Sequence, residues 1–350
     1  MLLYILIAIL LFGVLIFVHE LGHFLTARLF HVKIYEFSIG MGPKLISKKS
    51  KKTDTAYSLR LLPIGGFVSM AGEDEESDDE NSLRRKPVWQ RIIITAAGSV
   101  FNLLLGFLVM LFIVISMKNL GSTTIYSFQD NASSEASGLM VGDAIVSVDG
   151  HRAHIASDMN YYILRYGTKP IDITVIRNGE KIVIEDVVFP TQMEQDILFG
   201  KYDFSVLADT KNFETVIKNT FYQSVMTVRM VYDSLYDLIT GKYGLQQLSG
   251  PVGITGVVTD YAQDAVEGKD SSPLFYLFVV LAINLGCMNL LPFPALDGGR
   301  IVFLIVEGIR RKPINPKVEG YIHAAGMVLL LLLMLVVTCK DIFTLIKPGS

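Results

Sequence analysis

The sequence predicts a multi-pass α-helical membrane protein of about four transmembrane helices, with a β-rich loop on one side of the bilayer and a small α+β module on the other. Three observations carry this expectation. Long apolar runs recur along the chain, basic residues gather in alternate loops, and the segment between the second and third runs reads as short alternating strands. Composition agrees: of 350 residues, 51% are hydrophobic and 19% charged, against about 25% charged in an ordinary soluble domain. The net charge of -3 comes with no basic stripe, so no nucleic-acid partner is expected.

Residues 1–30 are the first transmembrane helix, apolar except for a cluster between His19 and His23. A cleaved leader needs a basic start and a small-residue cleavage site. Here the first basic residue is Arg28 and the His-Glu pair sits where the cleavage site would fall, so a retained spanning helix is expected. Residues 92–117 are the second, with the small residues Ala96, Ala97, Gly98, Ser99 and Gly106 along it. Residues 274–309 are the third, broken near the middle by Pro292 and Pro294. Such a break is tolerated at membrane depth where neighbouring protein or a wet cavity satisfies the freed backbone. Residues 322–339 are the fourth; His323 near its start reads as a cap or interfacial residue and not as a ligand.

Loop charge sets the orientation. The loop at residues 31–91 carries Lys44, Lys48, Lys49, Lys51, Lys52, Arg60, Arg84, Arg85, Lys86 and Arg91, and the loop before the fourth helix carries Arg310, Arg311, Lys312 and Lys317. The segment at 118–273 is net acidic. The positive-inside rule then puts both basic loops in the cytoplasm, and both termini and the long segment outside.

The first loop holds strand-like runs at 33–38, 44–47, 55–62 and 67–70, punctuated by Gly40, Gly42, Pro43 and Pro63-Ile64-Gly65-Gly66. The acidic run at 73–80 reads as a solvated loop. In the outer segment, a strand at 144–148 ends at Asp149-Gly150, one at 171–176 ends at Asn178-Gly179, and another follows at 181–188. Those dipeptides favour tight hairpins, and a helical stretch at 155–166 lies between them. In the outer region at 190–272, residues 215–239 have helical amphipathic spacing; a helix on the membrane surface and one packed on the β module are both open. Cys287 and Cys339 lie in apolar runs, with neither a disulfide framework nor metal-ligand spacing.

The chemistry gathers in His19-Glu20-Leu21-Gly22-His23, an H-E-x-x-H sequence. On a helix, positions i and i+4 share a face, so both imidazoles can reach one ion. A catalytic zinc takes three protein ligands and leaves a fourth position for water, and the intervening Glu20 is placed to act as general base. A chance match in a chain of this length is on the order of one in a hundred. Ionisable groups in a membrane helix are costly and by default functional; the bland alternative is an interfacial cap where the helix leaves the bilayer. For the third ligand, Asp297 is the only acidic residue between Asp270 and Glu307 and directly follows the proline break. Position alone leaves two readings: a zinc ligand, or the N-cap of a helix starting at Gly298.

These residues resemble a known family. The HELGH sequence, Asn289-Leu290-Leu291-Pro292-Phe293-Pro294-Ala295-Leu296-Asp297-Gly298-Gly299 and Gly98-Ser99-Val100-Phe101-Asn102 together are similar to the site-2 proteases of peptidase family M50, in particular the bacterial RseP type. Further matches are the stretches at 37–43, 65–68 and 249–254. The resemblance implies Zn2+ held by His19, His23 and Asp297, with Glu20 as base. It implies substrate contacts at Asn289 and Asn102, and at Gly65, Gly66, Phe67 and Val68 of a cytoplasmic membrane-associated β-sheet. Residues 136–150 resemble part of a PDZ domain, whose span would be 123–189 and which would bind extended peptides on the extracytoplasmic side. One such module fits where some relatives carry two, and Arg300 stands where many relatives have His.

The implied function is regulated intramembrane proteolysis in the bacterial cytoplasmic membrane, with the active site near the cytoplasmic side. Substrates would be single-span membrane proteins such as anti-sigma factors, or remnant signal peptides, after a prior extracytoplasmic cut. Two alternatives come from other classes. A divalent-metal transporter needs further His or acidic residues along a path through the bilayer, and apart from the cluster and Asp297 the sequence offers almost none. A catalytically inactive PDZ scaffold would have no use for an intact Glu20.

Overall fold

The computed structural model describes residues 2–73, 78–194, 197–242, 244 and 248–346. Residues 74–77, within the acidic run, lie outside the described residues. The chain divides into two compact units, Met1–Val109 with Met230–Ser350, and Met110–Arg229.

The first unit opens with helix α1 (Leu2–Leu29), an apolar stretch with no proline to interrupt it. In hydrocarbon each backbone N–H must find its partner within the segment, and an unbroken helix does that. Strands β1 (Ile34–Lys49) and β2 (Ala56–Met70) follow. They pair antiparallel, but residues 36–39 of β1 lie between two stretches of β2: Glu36 pairs with both Ala56 and Ser69, and Ile39 with both Leu59 and Gly66. Residues 56–59 in turn pair with 46–49. The four strand-like runs of the sequence are thus segments of one folded sheet. Its bends fall at Gly40, Gly42 and Gly65, with φ of 85°, 84° and 85°, a left-handed region that glycine enters without a Cβ penalty. Helix α2 (Val88–Ser116) comes next.

The second unit is a β-sheet with a helix. Strands β3 (Leu120–Phe128), β4 (Ala144–Val148), β5 (His151–Arg152), β6 (Ile171–Arg177), β7 (Glu180–Val187) and β10 (Phe204–Asp209) form one sheet in the order β10-β3-β4-β6-β7, with β5 beside β4. A short helix α3 (Ser133–Ala136), the helix α4 (Ala156–Tyr166) and a hairpin of β8 (Thr191–Glu194) and β9 (Ile197–Gly200) complete it. The two turn dipeptides have positive φ at both residues, Asp149 at 46° and Gly150 at 77°, Asn178 at 52° and Gly179 at 86°, the conformation of the two-residue hairpin turn. Ile125, Ile145, Met159, Ile163, Ile173 and Val175 are fully buried between helix and sheet. Asp143 is also fully buried, and Arg177 donates to it from Nε at 2.7 Å and Nη2 at 2.8 Å. The sheet does not end at residue 189, where the sequence reading put the edge of the module. The chain returns through β8 and β9, and β10 pairs antiparallel with β3.

Helix α5 (Phe213–Ile239) leads back to the first unit, which closes with α6 (Pro251–Val266), α7 (Ser272–Asn289), α8 (Asp297–Arg310) and α9 (Pro316–Ile346). Among the described residues, four helices are long and apolar enough to cross a membrane: Leu3–Leu29, Val88–Ser116, Ser272–Asn289 and Pro316–Thr344. Along α9 the side chains of Leu329, Leu331, Leu332, Leu333, Leu335 and Val336 are all exposed. Hydrocarbon solvates such a surface and water does not.

Two clusters hold this unit around its centre. Leu15 of α1, with Leu11 and Phe12, packs on Phe278 and Ala282 of α7 and on Leu105 of α2. Phe24 and Ala27 of α1, Phe37 of β1, Val68 and Met70 of β2 and Ile94 of α2 form the second. That second cluster fixes the sheet against the two helices that carry most of the site. The helices approach closely because small residues line the contact: a Cβ on Gly22 would stand 2.5 Å from the Ala97 carbonyl oxygen.

Candidate metal centre

His19, Glu20 and His23 lie two-thirds of the way along α1, and the helix puts both imidazoles on one face. The rings are 4.8 Å apart and nearly perpendicular, and their Nε2 atoms are separated by 3.2 Å. Asp297 arrives from the far end of the chain as the first residue of α8. Its Oδ2 stands 3.3 Å from His19 Nε2 and 3.5 Å from His23 Nε2. Three donor atoms from two distant segments therefore meet, and they are the one group among the described residues whose donors can share a metal ion.

The segment between α7 and α8 explains how Asp297 gets there. α7 stops at Asn289, and Pro292 and Pro294 prevent the helix from continuing. Ala295 then takes φ of 79°, a region costly for any residue with a Cβ. His323 of α9 stabilises that turn: its Nδ1 accepts a hydrogen bond from the Ala295 N–H at 2.9 Å. Gly326, one turn further along α9, leaves room for the same loop, since a Cβ there would stand 2.5 Å from the Pro294 carbonyl oxygen. Leu296 is extended and α8 starts at Asp297. The clamp by His323 carries no signal in the sequence, where an isolated histidine near a helix start reads as a cap.

The donor triangle fits zinc. A tetrahedral ion with bonds of about 2.05 Å separates its donors by about 3.3 Å, and the three observed separations bracket that value. Two imidazole nitrogens and a carboxylate oxygen are a donor set zinc accepts. The space is also clear: a Cβ on Gly98 of α2 would stand 2.4 Å from His23 Nε2 and 2.8 Å from His19 Nε2.

A cavity of about 310 Å³ opens on this centre. His19, Glu20, His23 and Asp297 line it, together with Phe67 and Val68 of β2 and Arg300 of α8. Arg300 forms an ion pair with Glu73, just beyond β2. Gly66 lies beside α1, where a Cβ would come within 3.1 Å of Glu20 Cγ. Gly65 sits at the bend before it, against Met41. Of the other residues singled out in the sequence, Asn289 is the last residue of α7, half-buried and outside the cavity lining. Asn102 is fully buried, with its amide Nδ2 3.4 Å from His19 Nδ1.

Known proteins resemble this chain along nearly its whole length. Residues 7–333 match the model of peptidase family M50. A Fusobacterium nucleatum protein provisionally named as a zinc metalloprotease is 36% identical over 97% of this chain and 98% of its own length. The regulator of sigma-W protease RasP of Bacillus subtilis is 31% identical, covering 95% of this chain and 97% of its own. The zinc metalloprotease RasP of Shouchella clausii is 30% identical over 95% and 96%. With four apolar helices long enough to span a bilayer, the chain is a membrane-bound zinc metalloprotease and belongs to peptidase family M50, the site-2 proteases.

Proposed function

We propose that this protease cuts single-span membrane proteins within or beside their membrane segment, with His19, His23 and Asp297 holding the zinc and Glu20 as the general base. The donor triangle carries the reading: two imidazole nitrogens and a carboxylate oxygen within 3.5 Å of one another, with Glu20 lining the same cavity. Zinc held there would polarise a scissile carbonyl and make a bound water acidic enough to lose a proton near neutral pH. Glu20 accepts that proton and returns it to the departing amine.

A transmembrane substrate helix must unwind before its amide is accessible, and its freed backbone groups then need partners. The stretch 66–69 of β2 supplies them. It pairs with 36–39 on one side, and among the described residues no strand pairs with its other edge. Gly66 at one end lies beside Glu20, and Phe67 and Val68 line the cavity. A substrate strand added along this edge delivers its peptide bond to the donors. The loops rich in Lys and Arg face the cytoplasm in this reading, and the second unit lies outside as a PDZ-like module that receives an extended peptide along a sheet edge. Anti-sigma factors already trimmed on the outer side, or remnant signal peptides, are the substrate classes. RasP of Bacillus subtilis is by its name a regulator of sigma-W, which supports the first class.

The test compares purified wild type with Glu20→Gln on a single-span model substrate in detergent or liposomes. Zinc retained with cleavage lost is the expected result; equal cleavage by both proteins removes Glu20 from the role of base.

A further inference from the structure

Each of the three donors has a second contact, and all three contacts come from α2. His23 Nδ1 donates to the Ile94 carbonyl at 2.8 Å. Ser99 Oγ stands 3.5 Å from Asp297 Oδ2. The Asn102 amide lies 3.4 Å from His19 Nδ1. Ile94, Gly98 and Asn102 are spaced four residues apart, so they share one stripe of the helix, with Ser99 beside it. Ile94, Ser99 and Asn102 are fully buried.

Asn102 is the informative member. Its Oδ1 is buried with no hydrogen-bond partner, an arrangement that costs the full desolvation of the group. A histidine that ligates through Nε2 carries its proton on Nδ1, and that N–H needs an acceptor. The two ends of a carboxamide have nearly the same shape. A half-turn of the Asn102 amide brings its oxygen to His19 Nδ1–H without displacing a neighbour.

We propose that α2 supplies the outer shell of the metal centre, one partner for each ligand, and that Asn102 is a positioning residue whose amide oxygen fixes His19 in the tautomer that presents Nε2 to zinc. This rests on the reading of His19, His23 and Asp297 as the zinc ligands and goes beyond it. Asn102 then acts on zinc retention and leaves substrate untouched, unlike the substrate contact the family resemblance implied. It also gives a reason for its complete burial inside an apolar helix, where an unsatisfied amide would be expensive.

The test uses full-length protein in detergent, loaded with one equivalent of zinc and challenged with excess chelator, following zinc release by a chromogenic indicator. Asn102→Leu, with the same branching and number of side-chain heavy atoms but without an acceptor, is expected to release zinc about 10- to 100-fold faster than wild type. Asn102→Asp, which keeps an acceptor at the same reach, is expected to release it no faster than wild type. Release from Asn102→Leu at the wild-type rate overturns the proposal. So does fast release from Asn102→Asp, and that arm decides the matter even if the leucine variant fails to fold. Wild type that takes up no zinc removes the ligand assignment itself, whereas wild type that holds zinc while Asn102→Leu matches it removes only the role of Asn102.

Discussion

Gly98 of α2 stands so close to His23 of α1 that a methyl group on it would lie 2.4 Å from the imidazole Nε2. The same methyl would lie 2.8 Å from His19 Nε2. Glycine, with no Cβ, therefore leaves open the space beside both ring nitrogens that a shared ion requires. Gly98→Ala is expected to lose zinc and to lower cleavage by about a hundredfold, with helix content by circular dichroism unchanged. Metal analysis of the purified variant checks this; a full equivalent of zinc with normal cleavage would contradict it.

His323 bonds to the backbone two residues before Asp297. Its loss leaves the Ala295 N–H without its acceptor in a turn already held at unfavourable φ, at a cost of about 1–3 kcal/mol. It also loosens the segment that aims the carboxylate. His323→Ala is expected to melt at a lower temperature in detergent and to cleave at least about tenfold more slowly, since small misplacements at a reacting centre are expensive. An unchanged melting temperature together with unchanged cleavage would dismiss the clamp.

Asp341 of α9 anchors the start of α6. The backbone N–H groups of Gly250 and Gly253 both donate to its Oδ2, at 2.9 Å and 2.8 Å. These are N–H groups that the first turn of a helix cannot satisfy itself. Asp341→Ala is expected to cost about 1–2 kcal/mol, and Asp341→Asn, which keeps an acceptor, to recover part of it. Thermal unfolding of the two variants side by side measures the difference.

Glu36 in the folded sheet gives a pH dependence with a definite sign. Burial pushes its carboxyl up, but hydrogen bonds from Lys44, Ser58 and Arg60 outweigh this and hold it below the ordinary glutamate value. A carboxyl lowered by folding adds stability that is fully present above the unfolded value of about 4.3 and fades as pH falls through the folded value. Protection of 36–39 and 56–59 in hydrogen exchange is therefore expected to weaken on acidification below about pH 4, and less so in Glu36→Gln. Equal weakening in both proteins would locate the cause elsewhere.

Much of this architecture is legible in the residues because its causes are local. The apolar runs, the i and i+4 spacing of His19 and His23, the Asp149-Gly150 and Asn178-Gly179 turns and the proline break before Asp297 all act within a few positions. What escaped depends on distant pairing. The return of β10 beside β3 leaves no mark on a six-residue edge strand, and the interleaving of β1 and β2 appears only once both are placed. The outer contacts of the donors are harder still. The acceptor for His23 is the carbonyl of Ile94, which any residue carries, and Asn102 and His323 gain their positions only from packing of α2 and α9.

The most direct measurement is X-ray absorption at the zinc edge on the purified, active protein, with His23→Ala and Asp297→Ala as references. One zinc per chain is expected, with two imidazole nitrogens and oxygen donors at about 2.0–2.2 Å; one imidazole is lost in the first variant, and the metal is weakened or lost in the second. A zinc shell dominated by sulfur, or one unaltered by either substitution, would show that the ion sits elsewhere and would contradict the site.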